Sequence, residues 1–189
     1  QSGSFDYRTP AFSLGFGTTV SGAYTYDPNA GTGPASAGGI GGNSRSGDAF
    51  VVKIAHESGL TIGGGSEEVE AAQGSTTSGQ QKVQRATGYA LYAAGPISIG
   101  YQESYVNSGK NWDSTTQSIA DGQDFESDGY AVAYTAGDIS VSYAEVTEKG
   151  KGYGATAADN ETEMSAIQAT YTMGAMTLGV SYNEAPKVI

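Results

Sequence analysis

The sequence predicts an all-β fold, an antiparallel transmembrane β-barrel, and three features of the chain indicate it. Hydrophobic residues alternate with small polar ones in runs of about ten residues. Turns centred on glycine join these runs in pairs. Short turns also alternate with long polar links along the chain. We therefore expect about ten strands in one domain that covers residues 1–189 and is incomplete at both ends.

Four segments repeat one plan, in which a glycine turn separates two alternating runs. They are AFVVKIAHESGLTIGGGSEEV from Ala49, GYALYAAGPISIGYQESY from Gly88, GYAVAYTAGDISVSYAEV from Gly129 and AIQATYTMGAMTLGVSYNEA from Ala166. The turn glycines Gly59, Gly95, Gly137 and Gly174 are 36, 42 and 37 residues apart. Glycine adopts the positive φ that tight hairpin turns require. An earlier hairpin over roughly 3–26, with an uncertain register around Gly15 and Gly17, brings the total to five hairpins.

Within a hairpin, one strand face is apolar and the other is small and polar. In the third repeat Tyr130, Val132 and Tyr134 share one parity, and Ala131, Ala133 and Thr135 share the other. Long polar links are expected near 27–47, 68–83, 107–126 and 148–162. Soluble sandwiches seldom separate short and long connections so regularly, whereas a membrane barrel has short turns at one end and long loops at the other.

Tyrosines recur at one position in the repeats. Tyr92, Tyr134 and Tyr171 stand three residues before their turn glycines, and His56 holds this position in the first repeat. On the returning strands, Tyr143 and Tyr182 share the apolar parity. These five tyrosines predict an aromatic girdle at a membrane interface. The alternative interpretation is that tyrosine is common on any strand.

Composition excludes several classes of function. The net charge is −11, from 20 acidic and 9 basic residues, and no basic cluster exists to bind nucleic acid. Cysteine is absent, which rules out disulfides, thiolate zinc sites and cysteine nucleophiles. No apolar run is long enough for a transmembrane helix, but a spanning barrel strand leaves little trace in a hydropathy average.

The ordered hairpins and the opening FDYRTPAFSLGFGTTVSGAYTYDPN resemble the general-diffusion porins of Gram-negative bacteria, especially the alphaproteobacterial type. The resemblance covers nearly the whole chain. It implies strands six to fifteen of a barrel of roughly sixteen strands, in a homotrimer in the bacterial outer membrane. It also implies contact with lipid and lipopolysaccharide, and passage of small hydrophilic solutes. The chain departs from the family in lacking the first strands, the constriction loop and a terminal phenylalanine.

Four charged residues are expected to line the pore. Asp6 and Arg8 alternate with Phe5 and Tyr7, so they should point inward, and the resemblance supports Arg8 in particular. Lys53 and Arg85 have the inward parity of their strands and would extend a basic wall. The alternative is that these are rim charges that aid solubility. Tyr89 and Leu91 also fall on the inward parity, for which we expect a β-bulge that shifts the strand.

Acidic residues concentrate in the expected links. Asp121, Asp124, Glu126 and Asp128 are the candidate ligands of calcium or magnesium, with lipopolysaccharide as a partner that such an ion would bridge. An EF-hand is disfavoured because Thr135 stands where that loop requires glutamate. A solvated acidic surface is the alternative. No cofactor is expected beyond such an ion.

Catalysis is not expected. His56 is the single histidine, and no G-x-S-x-G elbow accompanies it. The sequence therefore predicts a passive channel for small hydrophilic solutes and ions. A structural or adhesive barrel that presents long acidic and glycine-rich loops is the alternative, and a soluble β-sandwich or β-solenoid binding module is a third hypothesis.

Overall fold

The computed structural model describes residues 4–28, 46–69, 82–107, 112–113, 118–119, 122–153, 159–184 and 187–188. These residues form one large antiparallel sheet and a separate two-stranded ribbon. The first strands are β1 (Phe5–Arg8), β2 (Phe12–Gly15), β3 (Thr18–Asp27), β4 (Gly47–His56), β5 (Leu60–Val69), β6 (Val83–Ala94) and β7 (Ile97–Asn107). The later strands are β8 (Trp112–Asp113), β9 (Ser118–Ile119), β10 (Gly122–Ala136), β11 (Ile139–Tyr153), β12 (Asn160–Met173), β13 (Met176–Asn183) and β14 (Lys187–Val188).

The large sheet is a meander of hairpins. Its order is β1-β3-β4-β5-β6-β7-β10-β11-β12-β13, with β2 also paired to β3 and β14 to β12, while β8 and β9 form the ribbon. The all-β antiparallel architecture predicted from the sequence is therefore confirmed. Within the residues described, no pairing joins β1 to β13, so the sheet is open and has two edges.

Every short turn uses glycine in the left-handed region. The φ angles are 93° at Gly59, 57° at Gly95, 56° at Gly137 and 56° at Gly174. These are the four turn positions expected from the repeats, and each joins neighbouring antiparallel strands. A residue with a Cβ is strained at such angles, so glycine fixes where each hairpin reverses.

The first hairpin is less regular than the others. Its outgoing strand is split into β1 and β2, and Pro10, which has no N–H to donate, lies in the gap. Thr9 bridges the break: its N–H donates to the Gly22 carbonyl, and its Oγ1 accepts from the Gly22 N–H, each at 2.8 Å. A register shift between Ser13 and Gly15 follows.

Successive hairpins from β5 onward are staggered by a constant step. At these three junctions the incoming strand continues two residues past its last pair with the preceding hairpin before it turns, whereas at the first junction β4 ends at its last pair, Thr18 with His56. The last pairs are Leu60 with Tyr92, Ile97 with Tyr134 and Ile139 with Tyr171. The same hydrogen bond completes each step, from Ala93 N to Gly59 O (3.0 Å), Thr135 N to Pro96 O (2.8 Å) and Thr172 N to Asp138 O (2.8 Å). The stagger is therefore one residue per strand.

The two faces of the sheet differ in chemistry along its whole width. We call the first the apolar face; it includes Phe50, Ile54, Ile62, Ile99, Val132, Val141, Ile167, Leu178 and Val180, which the register places on one side. The second, which we call the polar face, includes Thr25, Thr61, Thr87, Ser98, Ser104, Ala133, Ser142, Gln168 and Ser181. The alternation predicted for the hairpins is thus present in the paired sheet.

The sheet has almost no core of its own. In the described chain, Val83 is the single buried hydrophobic residue. Tyr134, Ile139 and Val141 on the apolar face are 51%, 52% and 44% exposed, so nothing in the described residues covers them. Those residues also contain no helix that is long and apolar enough to cross a membrane.

Two of the expected polar links are shorter than predicted. Residues 122–126 and 148–153 belong to β10 and β11, which pair continuously from Gly122 with Tyr153 to Ala136 with Ile139. Opposite charges face each other along this extension, where Glu126 pairs with Lys149 and Asp124 with Lys151. Such cross-strand pairs stabilise a ladder that carries few hydrophobic residues. Polarity alone was therefore a wrong indicator of a loop here.

Candidate functional site

The polar face carries the charged residues that the sequence singled out. Asp6, Arg8, Lys53 and Arg85 all lie on this face, opposite the apolar side chains of their own strands. They are confined to β1, β4 and β6. The sheet thus brings all four to one surface, with Asp6 and Arg8 on the same strand and Lys53 and Arg85 on two others.

Arg8 forms an ion pair with its neighbour Asp6. The Nε of Arg8 donates to Oδ2 of Asp6 at 3.3 Å, and Thr25 Oγ1 donates to Oδ1 of Asp6 at 3.2 Å. The Arg8 side chain is 80% exposed, so solvent screens this pair strongly. Arg8 is therefore held beside a carboxylate but remains exposed to solvent.

Arg85 also has an acidic partner, which the sequence did not reveal. Its Nη1 donates to Oε2 of Glu67 at 2.9 Å. The two residues face each other across β5 and β6. Parity counting along a single strand cannot find this pair, because the partner depends on the register between strands. Two of the three expected basic residues therefore have their charge balanced.

Lys53 stands opposite a glycine that an aromatic ring covers. Lys53 pairs with Gly63 on β5, and Gly63 pairs with Tyr89 on β6. A Cβ on Gly63 would lie only 2.5 Å from the Tyr89 hydroxyl oxygen and 2.6 Å from Cζ, so the ring lies directly over this glycine. Lys53 itself makes no ion pair within the described part of the chain.

The β-bulge expected at Tyr89 and Leu91 is absent, and that prediction is wrong. β6 pairs without interruption with both β5 and β7, and the two large side chains stay on the polar face. Glycines on the neighbouring strands accommodate them: the Tyr89 ring lies over Gly63, and Leu91 Cδ1 lies 3.6 Å from where a Cβ of Gly100 would be. The missing side chains of Gly63 and Gly100 thus provide the room for Tyr89 and Leu91, and no change of register is needed.

Beside these two residues the polar face has a depression of about 400 Å³. Its floor is made of small residues on β7 and β10, among them Gly100, Gly129 and Ala131. Its lining also includes Tyr89, Leu91, Val146, Gln102, Ser104 and Ser127. Gln102 Nε2 donates to Ser104 Oγ at 3.2 Å and to Thr87 Oγ1 at 3.3 Å.

The acidic residues named as metal ligands lie on a strand. Asp124, Glu126 and Asp128 project from the apolar side of β10, beyond its hydrophobic residues, and Asp121 lies outside the described residues. Lys149 Nζ lies 3.8 Å from Asp128 Oδ1, and Tyr105 donates to Asp124 Oδ2 at 3.1 Å. Among the residues that the structure describes, no group of three acidic or histidine side chains is placed to hold a metal ion. Because Asp121 lies outside the described residues, the four-residue metal site stays a prediction.

A further charged cluster lies beyond the apolar residues of β5. Lys82 and Gln84 both donate to the carboxylate of Glu68, Gln84 at 2.8 Å. The hydrogen bond from Lys82, followed by that from Gln84, lowers the pKa of Glu68 from its ordinary value. The carboxylate therefore stays charged to a lower pH than an isolated glutamate.

The five tyrosines expected to form a girdle all lie on the apolar face. Tyr92, Tyr143 and Tyr182 occupy one hydrogen-bonded row across the sheet. Tyr134 lies one same-face row nearer the turns than Tyr92, and Tyr171 lies one same-face row nearer again, because each hairpin is shifted by two residues relative to the one before it. Measured from their own turns, Tyr92, Tyr134 and Tyr171 are level, and Tyr143 and Tyr182 lie farther from the turns.

His56 connects two neighbouring turns. Its Nδ1 accepts from the Ser58 N–H at 3.1 Å and lies 2.8 Å from Ser58 Oγ, while its Nε2 lies 3.0 Å from the carbonyl oxygen of Phe16. An Nε2–H tautomer satisfies all three contacts. Both ring nitrogens are thus engaged with turn residues, which gives His56 a structural role.

Comparisons of the chain with protein-family models, with curated proteins and with solved structures find no significant match. The functional argument therefore rests on the geometry of the two faces.

Proposed function

We propose that this chain is part of an outer-membrane β-barrel of the porin type, through which small hydrophilic solutes and ions diffuse passively. In this proposal the apolar face meets lipid and the polar face lines a water-filled pore. The proposal extends to an outer-membrane location, contact with lipopolysaccharide and a homotrimeric assembly.

The uncovered apolar face is the observation that carries the proposal. Most large hydrophobic side chains on it are exposed, among them Leu60 at 38%, Tyr171 at 43% and Leu178 at 71%. Water-exposed apolar patches of this extent are costly unless another apolar surface covers them. Lipid supplies such a surface without a second protein layer. A soluble sandwich would instead need a second sheet, and the described residues contain none apart from the β8–β9 ribbon.

The stagger of the hairpins supports a closed barrel. Its step of one residue per strand combines a rise of about 3.3 Å with a strand spacing of about 4.8 Å. The turns are then level when the strands tilt by about 35°, which is within the usual range for barrels. An open soluble sheet has no need of a constant stagger.

The height of the apolar face is close to that of a membrane band. On β13 the apolar positions run from Met176 to Tyr182, and Glu184 follows. On β10 they run from Ala136 back to Tyr130, and Asp128 follows. Seven residues at a tilt of about 35° span about 20 Å, near the apolar band of roughly 25 Å of outer-membrane barrels.

The polar face suits a water-filled interior. Its side chains are mostly glycine, alanine, serine and threonine, and its ion pairs remain exposed to solvent. Small polar side chains leave room for water and solutes in the interior of a wide barrel.

Reconstitution of the full chain into planar lipid bilayers tests the proposal. We expect stepwise increases in ion conductance and permeation of small neutral solutes into proteoliposomes. A control is the same protein heated in detergent until its β-sheet circular dichroism is lost, which should not conduct. A folded protein that inserts into lipid without conducting would contradict the channel and favour a barrel that only displays its loops. Solubility without detergent would contradict the membrane location.

A further inference from the structure

Large apolar side chains interrupt the small residues of the polar face at several positions, among them Val51, Val146 and Met164. On β6 two such side chains lie beside hydrogen-bonding groups and a depression. Tyr89 and Leu91 follow each other on this face of β6, and the register is continuous around them. Gly63 and Gly100 on the neighbouring strands have no side chains, so Tyr89 and Leu91 pack closely over them. Tyr89 is half-buried: its ring packs on Gly63, and the side chain also lines a depression of the polar face.

Hydrogen-bonding groups lie on the same row as the ring. Gln102 pairs directly with Tyr89, and Lys53 follows beyond Gly63. Nε2 of Gln102 donates to Thr87 and Ser104, so its amide oxygen remains as an acceptor for a solute hydroxyl. The depression of about 400 Å³ next to Tyr89 has no charged residue in its lining. Its size is within the range of small-molecule sites.

This combination favours a neutral pyranose sugar. A pyranose presents axial C–H groups on one face and hydroxyls around its edge. The negative face of an aromatic ring attracts the C–H groups, and amide and hydroxyl side chains bind the hydroxyls. An ion would find no counter-charge in the depression. A purely apolar solute would leave the amide oxygen of Gln102 without a partner.

We propose that Tyr89, Leu91 and Gln102 form a sugar-binding platform on the pore wall, which slows neutral saccharides during passage. The inference rests on the proposed function, since it takes the polar face to be the inside of a pore. It assigns a solute preference to that pore.

Binding is measured first, without any requirement for conduction. The full chain is folded in an amine-oxide detergent, which carries no sugar headgroup, and maltotriose is observed by saturation-transfer NMR. We expect transfer to the ring C–H protons. Tyr89→Ala should weaken binding about threefold to tenfold, because stacking on an aromatic ring contributes about 1 kcal/mol. Tyr89→Phe keeps the ring and should retain most of the binding.

Tyr92→Ala is the matched control, since Tyr92 lies on the same strand but on the apolar face. It should leave maltotriose binding unchanged. If Tyr89→Ala fails to give native β-sheet circular dichroism, Gln102→Ala replaces it, with an expected loss of about threefold for one hydrogen bond. Binding that survives both Tyr89→Ala and Gln102→Ala, or is lost equally in Tyr92→Ala, would overturn the platform.

Conductance then separates the two proposals. Maltotriose should reduce the single-channel current more in the wild type than in Tyr89→Ala. Polyethylene glycol of the same hydrodynamic size should reduce the current equally in both. Conducting channels without maltotriose binding would overturn the platform and leave the channel intact. Maltotriose binding by a protein that does not conduct would overturn the channel, and with it the slowing of passage, and would leave only the sugar-binding site at Tyr89 and Gln102.

Discussion

The two faces of one sheet solve different problems with the same backbone. Val141 and Ser142 are adjacent in β11 and share the same ladder, yet one contributes to a continuous apolar surface and the other to a surface of hydroxyls and small residues. A soluble sheet would bury the first surface in a core, but here Val83 is the only buried hydrophobic residue of the described chain. The apolar face therefore needs its environment to stabilise it, whereas the polar face does not.

The faces also differ in how they treat large side chains. On the apolar face, aromatic residues stand beside one another, and Tyr130 and Tyr143 have ring centroids 6.1 Å apart. On the polar face, the large residues Tyr89 and Leu91 lie over glycines. Large side chains of the apolar face thus pack against one another, whereas Tyr89 and Leu91 on the polar face pack against the sheet and leave the space above it open.

A charge placed on each face tests this contrast most strongly. Val141→Arg should lower the free energy of unfolding in lipid vesicles by about 2–4 kcal/mol, because an arginine would face the hydrocarbon. Ser142→Arg, one residue away, should change it by less than about 1 kcal/mol. Urea titrations in vesicles, followed by circular dichroism, measure both. Equal effects of the two substitutions would show that the faces do not meet different solvents.

Adding one methyl group to each face gives a smaller effect. Gly63→Ala must displace the Tyr89 ring and should cost about 1 kcal/mol, whereas Gly88→Ala on the apolar face meets no atom within 4 Å and should be neutral or slightly stabilising. The same urea titrations compare them. A costly Gly88→Ala with a harmless Gly63→Ala would mean that the ring does not rest on Gly63.

The ion pair of Arg85 and Glu67 tests the polar face alone. A double-mutant cycle with Arg85→Ala and Glu67→Ala should give a coupling energy of about 0.2–1 kcal/mol, because both side chains are more than two-fifths exposed. In bilayers, Glu67→Gln should shift the reversal potential toward anions, since it leaves Arg85 uncompensated. An unchanged reversal potential would place this pair outside the ion path.

Acid titration tests the smallest effect, at the charged end of β5. The pKa of Glu68 is lowered in the folded protein, so its contribution to stability is present above the ordinary glutamate pKa and is lost as the pH falls through the folded value. Glu68→Gln should remove this part of the acid dependence of unfolding. Glu145→Gln is the control, for which the acid dependence that comes from Glu68 should be retained. A wild-type acid dependence retained in Glu68→Gln would rule out the contribution.

Local chemistry made the hairpins predictable. Glycines at the turns and a strict alternation on either side identify where the chain reverses and which face is apolar, and both depend on residues close in sequence. Asp6, Arg8, Lys53 and Arg85 could be assigned to the polar face for the same reason. Closure into a barrel is not fixed by such local signals.

Features that depend on neighbouring strands were missed or misjudged. Glu67 is the partner of Arg85 only because of the register between β5 and β6. A bulge was expected at Tyr89 because its strand alone shows no room for the ring; the room is provided by Gly63 on another strand. The extension of β10 and β11 was missed because its stabilising pairs are charges on facing strands.

The directions of the outermost strands restrict how this sheet can be completed. β1 and β2 run toward the short turns and β13 runs away from them, so the two edges of the sheet are antiparallel to each other. If strands are added one after another as a meander, an odd number would force one parallel seam. A closed barrel in which all neighbouring strands are antiparallel must therefore have an even number of strands. It would consist of these ten strands alone or of these ten with an even number of further strands.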